Sequence, residues 1–493
     1  MRILYIDIDS LRADHLGCYG YERNTSPNID SLAARGVRFA HNYTSDAPCL
    51  PSRSALFSVR FGIHNGVVGH GGTAGSPFIQ GPSRGFRDRF GITSWMSTMR
   101  SAGYRTATVS TFGERHSAWH WYAGFNEVIN HGTGGMERAD EVYPYAERWL
   151  RQHAGEDNWF LHVNFWDPHT PYRTPEAYGN PFASDPAPSW LTQEILDAQR
   201  NSFGPHSARE VSGYGPSKNP ARWPRTLDEI RTPEDYKFWI DNYDTGIRYA
   251  DDHVGRIRDV LQELGILEDT LIIVSADHGE NQGELNVYGD HQTADLPTCR
   301  IPLIISGPGV RAGHVDEALH YHLDLPPTLL EWMGREAPAG WDGRSYASAL
   351  TDGGTSGGHP YIVVSQMAWA CQRSVRFDHW LLVRTYDPGL KDFPPVMLFD
   401  IAQDPHETKN VAEDYPEVRD RGLALLEEWH ARQMSTSPAG VDPLWTVMRE
   451  GGSFHTRAQL DAYCERLRNT GRAELANRLY AEETARRSAL GNT

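Results

Sequence analysis

The chain has 493 residues, 39% of them hydrophobic and 23% charged, with a formal net charge of −17. That length exceeds one ordinary core and implies two or three packed units. The acidic balance excludes nucleic acid as a general partner, and an anionic substrate would need a local cationic pocket against the field of the whole protein.

Residues 2–9 form an apolar, strand-like run that ends in two acids, Asp7 and Asp9. Pro27 to Val37 predicts a helix with a glycine at its end. Further strands are predicted at Thr106–Ser110, Trp159–Trp166, Leu271–Ser275 and Ile301–Ser306, with a broken helical segment over Leu227–Leu264. Apolar runs alternating with helices predict an α/β fold: a large, mostly parallel sheet sandwiched by helices. Residues 173–225, rich in Pro, Gly, Ser and Asn, read as a long surface insertion, either a pocket rim or a solvated loop.

A break at Thr351–Pro360 precedes short strands at Tyr361–Ser365, Ser374–Arg376, Trp380–Arg384 and Val396–Asp400, then a helix over Pro416–Met434. The expected division is a large α/β domain over 1–352, a smaller α+β subdomain with an antiparallel sheet over 359–435, and a helical extension over 436–493.

Cys18, Cys49, Cys299, Cys371 and Cys464 are odd in number and scattered, which fits neither a disulfide framework nor a zinc site. The chain shows no basic leader followed by an apolar stretch, and no apolar window of membrane length. A cytoplasmic setting without membrane contact is the expectation.

Four polar clusters carry the chemistry. Cys49-Leu50-Pro51-Ser52-Arg53 is a moderate signal, since a lone cysteine beside a turn proline is more often buried and inert. Asp7 and Asp9 share one face of their strand by period-two alternation. Ser275-Ala276-Asp277-His278-Gly279 and Asp167-Pro168-His169 each follow an apolar strand. Any one of these fits a cap or a turn acid. Polar clusters at three strand ends fit a ligand site, because ligands bind at the carboxyl ends of strands in open parallel sheets.

Together these residues resemble the formylglycine-dependent, or type I, sulfatases of the alkaline-phosphatase-like superfamily. Asp9-Ser10-Leu11-Arg12-Ala13-Asp14-His15-Leu16-Gly17-Cys18-Tyr19-Gly20 is similar to the family's opening block, and Ser26-Pro27-Asn28-Ile29-Asp30 follows as it does there. The CLPSR run is similar to the modification signature, with Arg60 at the end of the next element. Asp277-His278-Gly279 resembles the second metal block, and Arg300-Ile301-Pro302-Leu303-Ile304-Ile305 the strand after it. Leu398-Phe399-Asp400, with Asp404-Pro405-His406-Glu407 and Asn410, resembles the carboxy-terminal pattern.

The resemblance implies that Cys49 is oxidised to formylglycine, through a transient encounter with a formylglycine-generating enzyme. Hydrated, the aldehyde becomes a geminal diol. One hydroxyl attacks sulfur and expels the alcohol; the other then loses its proton, the aldehyde re-forms and sulfate leaves. The implied metal ligands are Asp9, Asp277, His278 and an oxygen of modified Cys49, with Ca²⁺ favoured by oxygen ligation and Mn²⁺ kept open by the imidazole. Many relatives pair two aspartates at the first position, where this chain has Ser10; Asp7 is read as a supporting acid.

By the same resemblance, Arg53 holds the diol, and His169 acts as general acid or orients the leaving oxygen near neutral pH. His291 stands where many relatives carry a lysine, and Arg115 and His116 stand in for a lysine and a histidine missing at Ser110-Thr111-Phe112-Gly113. The Trp119-His120-Trp121-Tyr122 cluster and Trp166 are read as sugar-stacking or core. His455 and the tail are expected to close over the pocket or to mediate contacts in a homo-oligomer.

The implied substrate is a sulfated small molecule or oligosaccharide, with no nucleic acid and no membrane as partner. A phosphonate monoester or phosphodiester hydrolase, a choline-type sulfatase and a scaffold on a degenerate fold are the alternatives.

Overall fold

A computed structural model describes residues 1–78, 89–216, 220–351 and 357–489. The boundary set at residue 352 and parts of the 173–225 insertion and the tail lie outside them. No described helix is long and apolar enough to cross a membrane.

The larger sheet is built from β1 (Arg2–Ile8), β2 (Gly36–Tyr43), β4 (Arg105–Val109), β5 (Glu127–Ile129), β6 (Trp159–Phe165), β7 (Thr270–Ser275), β8 (Arg300–Ile301), β9 (Leu303–Ser306) and β10 (His314–Tyr321). Its order is β8-β2-β9-β7-β1-β6-β4-β5, with β10 also pairing with β2. The central pairs β7–β1, β1–β6 and β6–β4 are parallel, whereas β8 and β9 run antiparallel to β2. The pairs β4–β5 and β10–β2 are parallel as well, so the mostly parallel expectation holds.

β1, β6 and β7 are buried almost throughout, which is why they read as continuous apolar runs. Two apolar clusters cover the two faces of the sheet. The longest helix, α4 (Pro233–Glu263), follows α1 (Pro27–Ala34), α2 (Cys49–Ser58) and α3 (Ala139–His153). It opens on a capping box in which the Thr232 hydroxyl accepts from Asp235 N and the Asp235 carboxylate accepts from Thr232 N, with proline at the first turn.

The predicted helix over Pro27–Val37 stops at Ala34, and Gly36 opens β2 instead of ending the helix. A side chain on Gly36 would strike the Ile305 backbone, so close strand pairing requires glycine there.

A second sheet of five strands has the order β14 (Val396–Asp400), β13 (Trp380–Asp387), β12 (Cys371–Phe377), β11 (Ile362–Gln366) and β3 (Asp46–Ala47). Its last four strands in sequence are antiparallel, as expected. β3 is the exception: it comes from the amino-terminal half, immediately before the cysteine motif, and pairs in parallel with β11. Beyond α5 (Pro416–Thr436), the tail forms α6 (Pro443–Arg449), α7 (Leu460–Asn469) and α8 (Ala473–Ala489).

Candidate active site

The register of the central strands brings the motifs together. Asp7 pairs with Asn164 on β6 and with Ser275 on β7, so the three strands end at one level. Asp9, His169 and Asp277 all leave from that edge. Cys49 enters from the side as the first residue of α2, whose ten residues are all buried. Ser52 fixes the helix by donating to the Asp277 carbonyl at 2.6 Å, and His322 Nε2 bonds the Ser52 carbonyl at 3.0 Å.

Arg53, one turn on, sits among three carboxylates. Its Nε donates to Asp7 at 2.8 Å, and its Nη1 to Asp9 at 3.0 Å and to Asp277 at 2.5 Å. Asp7 is further held by His162 Nε2 at 3.3 Å. The guanidinium lies over the Phe112 and Trp166 rings at 4.9 and 5.7 Å. All four ionic groups are almost completely buried.

Three carboxylates against one guanidinium leave a dry site with excess negative charge. Burial, with the charges of Asp9 and Asp7 beside it, pushes Asp277 well above the usual carboxylate range. A cation among these acids is what would let all of them ionise. The donor set suits one: carboxylate oxygens of Asp9 and Asp277, the Cys49 sulfur and a nitrogen of His278 all lie within 4.8 Å of one another. His278 Nδ1 bonds the Gly279 carbonyl at 2.7 Å, which leaves Nε2 as the lone-pair nitrogen, 3.0 Å from the thiol.

Cys49 itself is a poor nucleophile as a thiol. Burial and the neighbouring charges of Asp9 and Asp277 push it well above the usual thiol range, which removes the thiolate.

Cys49, His169 and His291 form a second group of donor atoms within 4.8 Å. His291 Nε2 is 3.9 Å from the sulfur, and its ring lies 4.2 Å from that of His278. His169 Nδ1 bonds the Thr170 carbonyl and frees Nε2. Burial pushes both imidazoles down to about 3, so each is neutral near pH 7, a departure from the near-neutral titration expected from sequence. A bound sulfate monoester would bring the negative charge that favours the protonated ring.

The remaining expectations divide. Arg115 lies over the Trp166 ring at 5.1 Å, and the His116 ring packs against Phe112 and His70, outside both donor groups. Thr111 turns away, its hydroxyl donating to Glu137 at 2.9 Å. Of the aromatic cluster, Trp121 is fully buried in the core and Trp166 backs the two guanidinia, whereas Trp119 is 64% exposed. The opening block's Arg12 and His15 are structural, paired with Asp14 and Glu284 and with Asp244.

The sulfatase family model matches residues 2–335. The chain belongs to the sulfatase family. Sulfatases are sulfuric ester hydrolases, and this chain is one of them. It is similar to the multifunctional alkaline phosphatase superfamily protein PehA of Trinickia caryophylli, with 26% identity over 84% of this chain and 91% of the relative. Choline-sulfatase of Rhizobium meliloti is also 26% identical, over 79% of this chain and 78% of its own length. The solved structure of BT4656 in complex with its substrate D-glucosamine-2-N,6-O-disulfate matches with a TM-score of 0.68 and 19% identity, covering 89% of this chain and 99% of that one. That likeness shows a shared fold.

Other residues around the sulfatase site carry no sequence signal of their own. His70 lies in the glycine-rich run 66–72, His206 in the insertion and Trp369 in the turn between β11 and β12. None shows periodicity; the fold alone brings them to the rim.

Proposed function

We propose that this sulfatase hydrolyses sulfate esters of a sulfated carbohydrate through a formylglycine made from Cys49, with a divalent cation, Ca²⁺ by its oxygen-rich ligands, held by Asp9, Asp277, His278 and residue 49. The observation that carries the reading is the position of Cys49: the first residue of a buried helix, 3.0 Å from His278 Nε2 and within 4.8 Å of Asp9 and Asp277.

Formylglycine supplies a hydroxyl nucleophile and a way to expel sulfate, and the cation supplies positive charge for both. This chain's own residues do the rest. Arg53 orients the acids and offers an unpartnered buried Nη2. The amino terminus of α2 favours negative charge at residue 49. His169 and His291 present nitrogens to the reacting centre from two directions, placed for the leaving oxygen.

A second reading has one observation in its favour: no lysine stands among the described site residues, and Thr111 occupies a position where many relatives carry one. A phosphonate monoester or phosphodiester hydrolase would use the same nucleophile with fewer cations. Mass spectrometry of the peptide containing residue 49, then aryl sulfate and phosphonate monoester turnover on the aldehyde-bearing protein, separates the two. The sulfatase reading expects higher kcat/KM for the sulfate. Cys49→Ala should abolish turnover while leaving fold and metal content; wild-type-like residual activity defeats the mechanism.

A further inference from the structure

A cavity of about 280 Å³ lies where the second sheet meets the larger one. Its walls come from both: His41 on β2 and Arg300 on β8 belong to the larger sheet, and Arg376 on β12 and His379 in the turn before β13 to the second. Asp14 and Pro297 complete its polar end and its apolar wall. No member of the two donor groups around Cys49 lines it.

The charge in this cavity runs against that of the chain, whose formal net charge is −17. Arg12, Arg53 and Arg373 each meet a carboxylate. Arg300 and Arg376 form no ion pair among the described residues and rest on backbone carbonyls instead. Arg300 donates to the Ala40 carbonyl from Nε at 3.2 Å and from Nη2 at 2.8 Å. Arg376 Nη1 donates to the Asp378 carbonyl, while its Nε is buried without a partner. Carbonyls fix a guanidinium in place without neutralising it. The acid in the lining, Asp14, is already spent on Arg12, which donates to it at 2.9 and 2.7 Å. Two positive charges therefore face one cavity uncompensated. His41 registers their field: burial, and then the charges of Arg300, Arg376 and Arg38, push its imidazole down to about 4.

Like charges on opposite walls work against contact between the sheets unless an anion lies between them. A carboxylate would bring one charge and one edge. A tetrahedral dianion brings two charges and oxygens facing both walls, and guanidinium forks bind such oxygens with charge-assisted hydrogen bonds. The volume is several times the roughly 30 Å³ share of one water, which leaves room for such an ion and a few waters.

We propose that this cavity is an oxyanion site in which Arg300 and Arg376 hold one tetrahedral dianion, inorganic sulfate or phosphate, between the two sheets. Sulfate is what a sulfuric ester hydrolase releases, so the site would bind the reaction's own product away from the reacting centre. The bound ion also steadies a joint that matters to that centre. On the short helix Leu296–Cys299, the Thr298 carbonyl accepts from Gly279 N at 2.8 Å and the Cys299 carbonyl from Thr44 N at 3.0 Å. That helix, which ends at Arg300, thus braces both the 277–279 motif and the approach to Cys49.

The test is thermal unfolding of the full-length protein, with chloride replaced by sulfate, phosphate or acetate at a constant ionic strength of about 0.15 M. Sulfate or phosphate should raise Tm saturably, by at least about 2 °C, and acetate should not. Arg300→Gln and Arg376→Gln should each lose most of that rise; any share from an ion at the reacting centre is common to all three proteins. A larger rise with sulfate than with phosphate assigns the site to the product, and the reverse order assigns it to phosphate. A rise that both variants keep in full, or that acetate matches, overturns the inference. A second measurement needs no variant: crystals of the wild-type protein soaked in selenate should show an anomalous peak between the two guanidinia. A peak at the Cys49 centre with none in the cavity also overturns it. Neither failure touches the formylglycine reading, which the residue 49 peptide and the turnover assays decide.

Discussion

Arg53 donates from Nε to Asp7 at 2.8 Å, and this contact aims its Nη1 at Asp9 and Asp277 together. Asp7 touches neither the thiol nor the donor set around it, yet it fixes the guanidinium that does. Asp7→Ala removes one partner of a buried, hydrogen-bonded ion pair and is expected to cost about 3 kcal/mol of stability by denaturant unfolding. Turnover should fall with it. A variant within about 1 kcal/mol of wild type would show that Asp9 and Asp277 suffice to hold Arg53.

The acid excess at the site predicts how stability responds to a divalent ion. Without the ion, the folded state keeps a proton on Asp277 to higher pH than the unfolded chain does, so stability falls as pH rises above the ordinary carboxylate range. An ion that displaces this proton removes that loss. Ca²⁺ at a hundredfold excess over its Kd should add about 2.7 kcal/mol. The gain in Tm should be larger at about pH 8 than at about pH 6. A gain that is absent, or the same at both, contradicts the ligand set; the same titration with Mn²⁺ compares the two ions.

Lys391 is fully buried, with its Nζ donating to the Pro205 carbonyl at 2.5 Å. Burial pushes its ammonium down to about 7, against the opposing charges of Asp290, Asp295 and Glu210. Between about 7 and the unfolded value of about 10.4, the unfolded chain holds more protons, so this group's share of stability grows as pH rises through that window. Lys391→Met should therefore lose least relative to wild type below pH 7 and most near pH 10, read by thermal unfolding across pH. A stability difference that is flat with pH would show that Lys391 stays charged in the fold.

Arg373 on β12 binds Asp442, the cap of α6, through two hydrogen bonds of 2.7 and 2.8 Å, and His430 adds a third at 3.0 Å. This buried pair anchors the tail to the second sheet. Asp442→Ala should cost about 3–5 kcal/mol and expose the segment after residue 436 to limited proteolysis. Unchanged cleavage would place the anchor elsewhere, in the apolar contacts of α6 with Val68 and Met367.

How far the sequence reached depended on the kind of signal. β1, β6 and β7 were legible because both faces are buried and each run breaks at an acid or a histidine. β14 matches its expected span, Val396–Asp400, at both ends. β2 and β10 were missed because Arg38 and His41, or Asp316, Glu317 and His320, interrupt the apolar pattern on partly exposed strands. The metal-type donors were legible because each follows a strand. The rim was not: His70, His206 and Trp369 sit in loops whose meeting depends on tertiary contacts hundreds of residues apart. The aromatic run around Trp121 stayed open between ligand and core, because it looks the same either way and only its packing puts Trp121 in the core.

β3 ends two residues before Cys49, and its partner is the strand at 362–366. The helix that opens on Cys49 is therefore clamped only after the second sheet has been synthesised, and once clamped residue 49 is 1% exposed. On the proposed chemistry, the oxidising enzyme has to reach the thiol while the chain is still open. Maturation then becomes a race between modification and folding. Slower synthesis or delayed pairing of β3 with β11 raises the active fraction, and a quickly folding preparation is left with plain cysteine sealed inside.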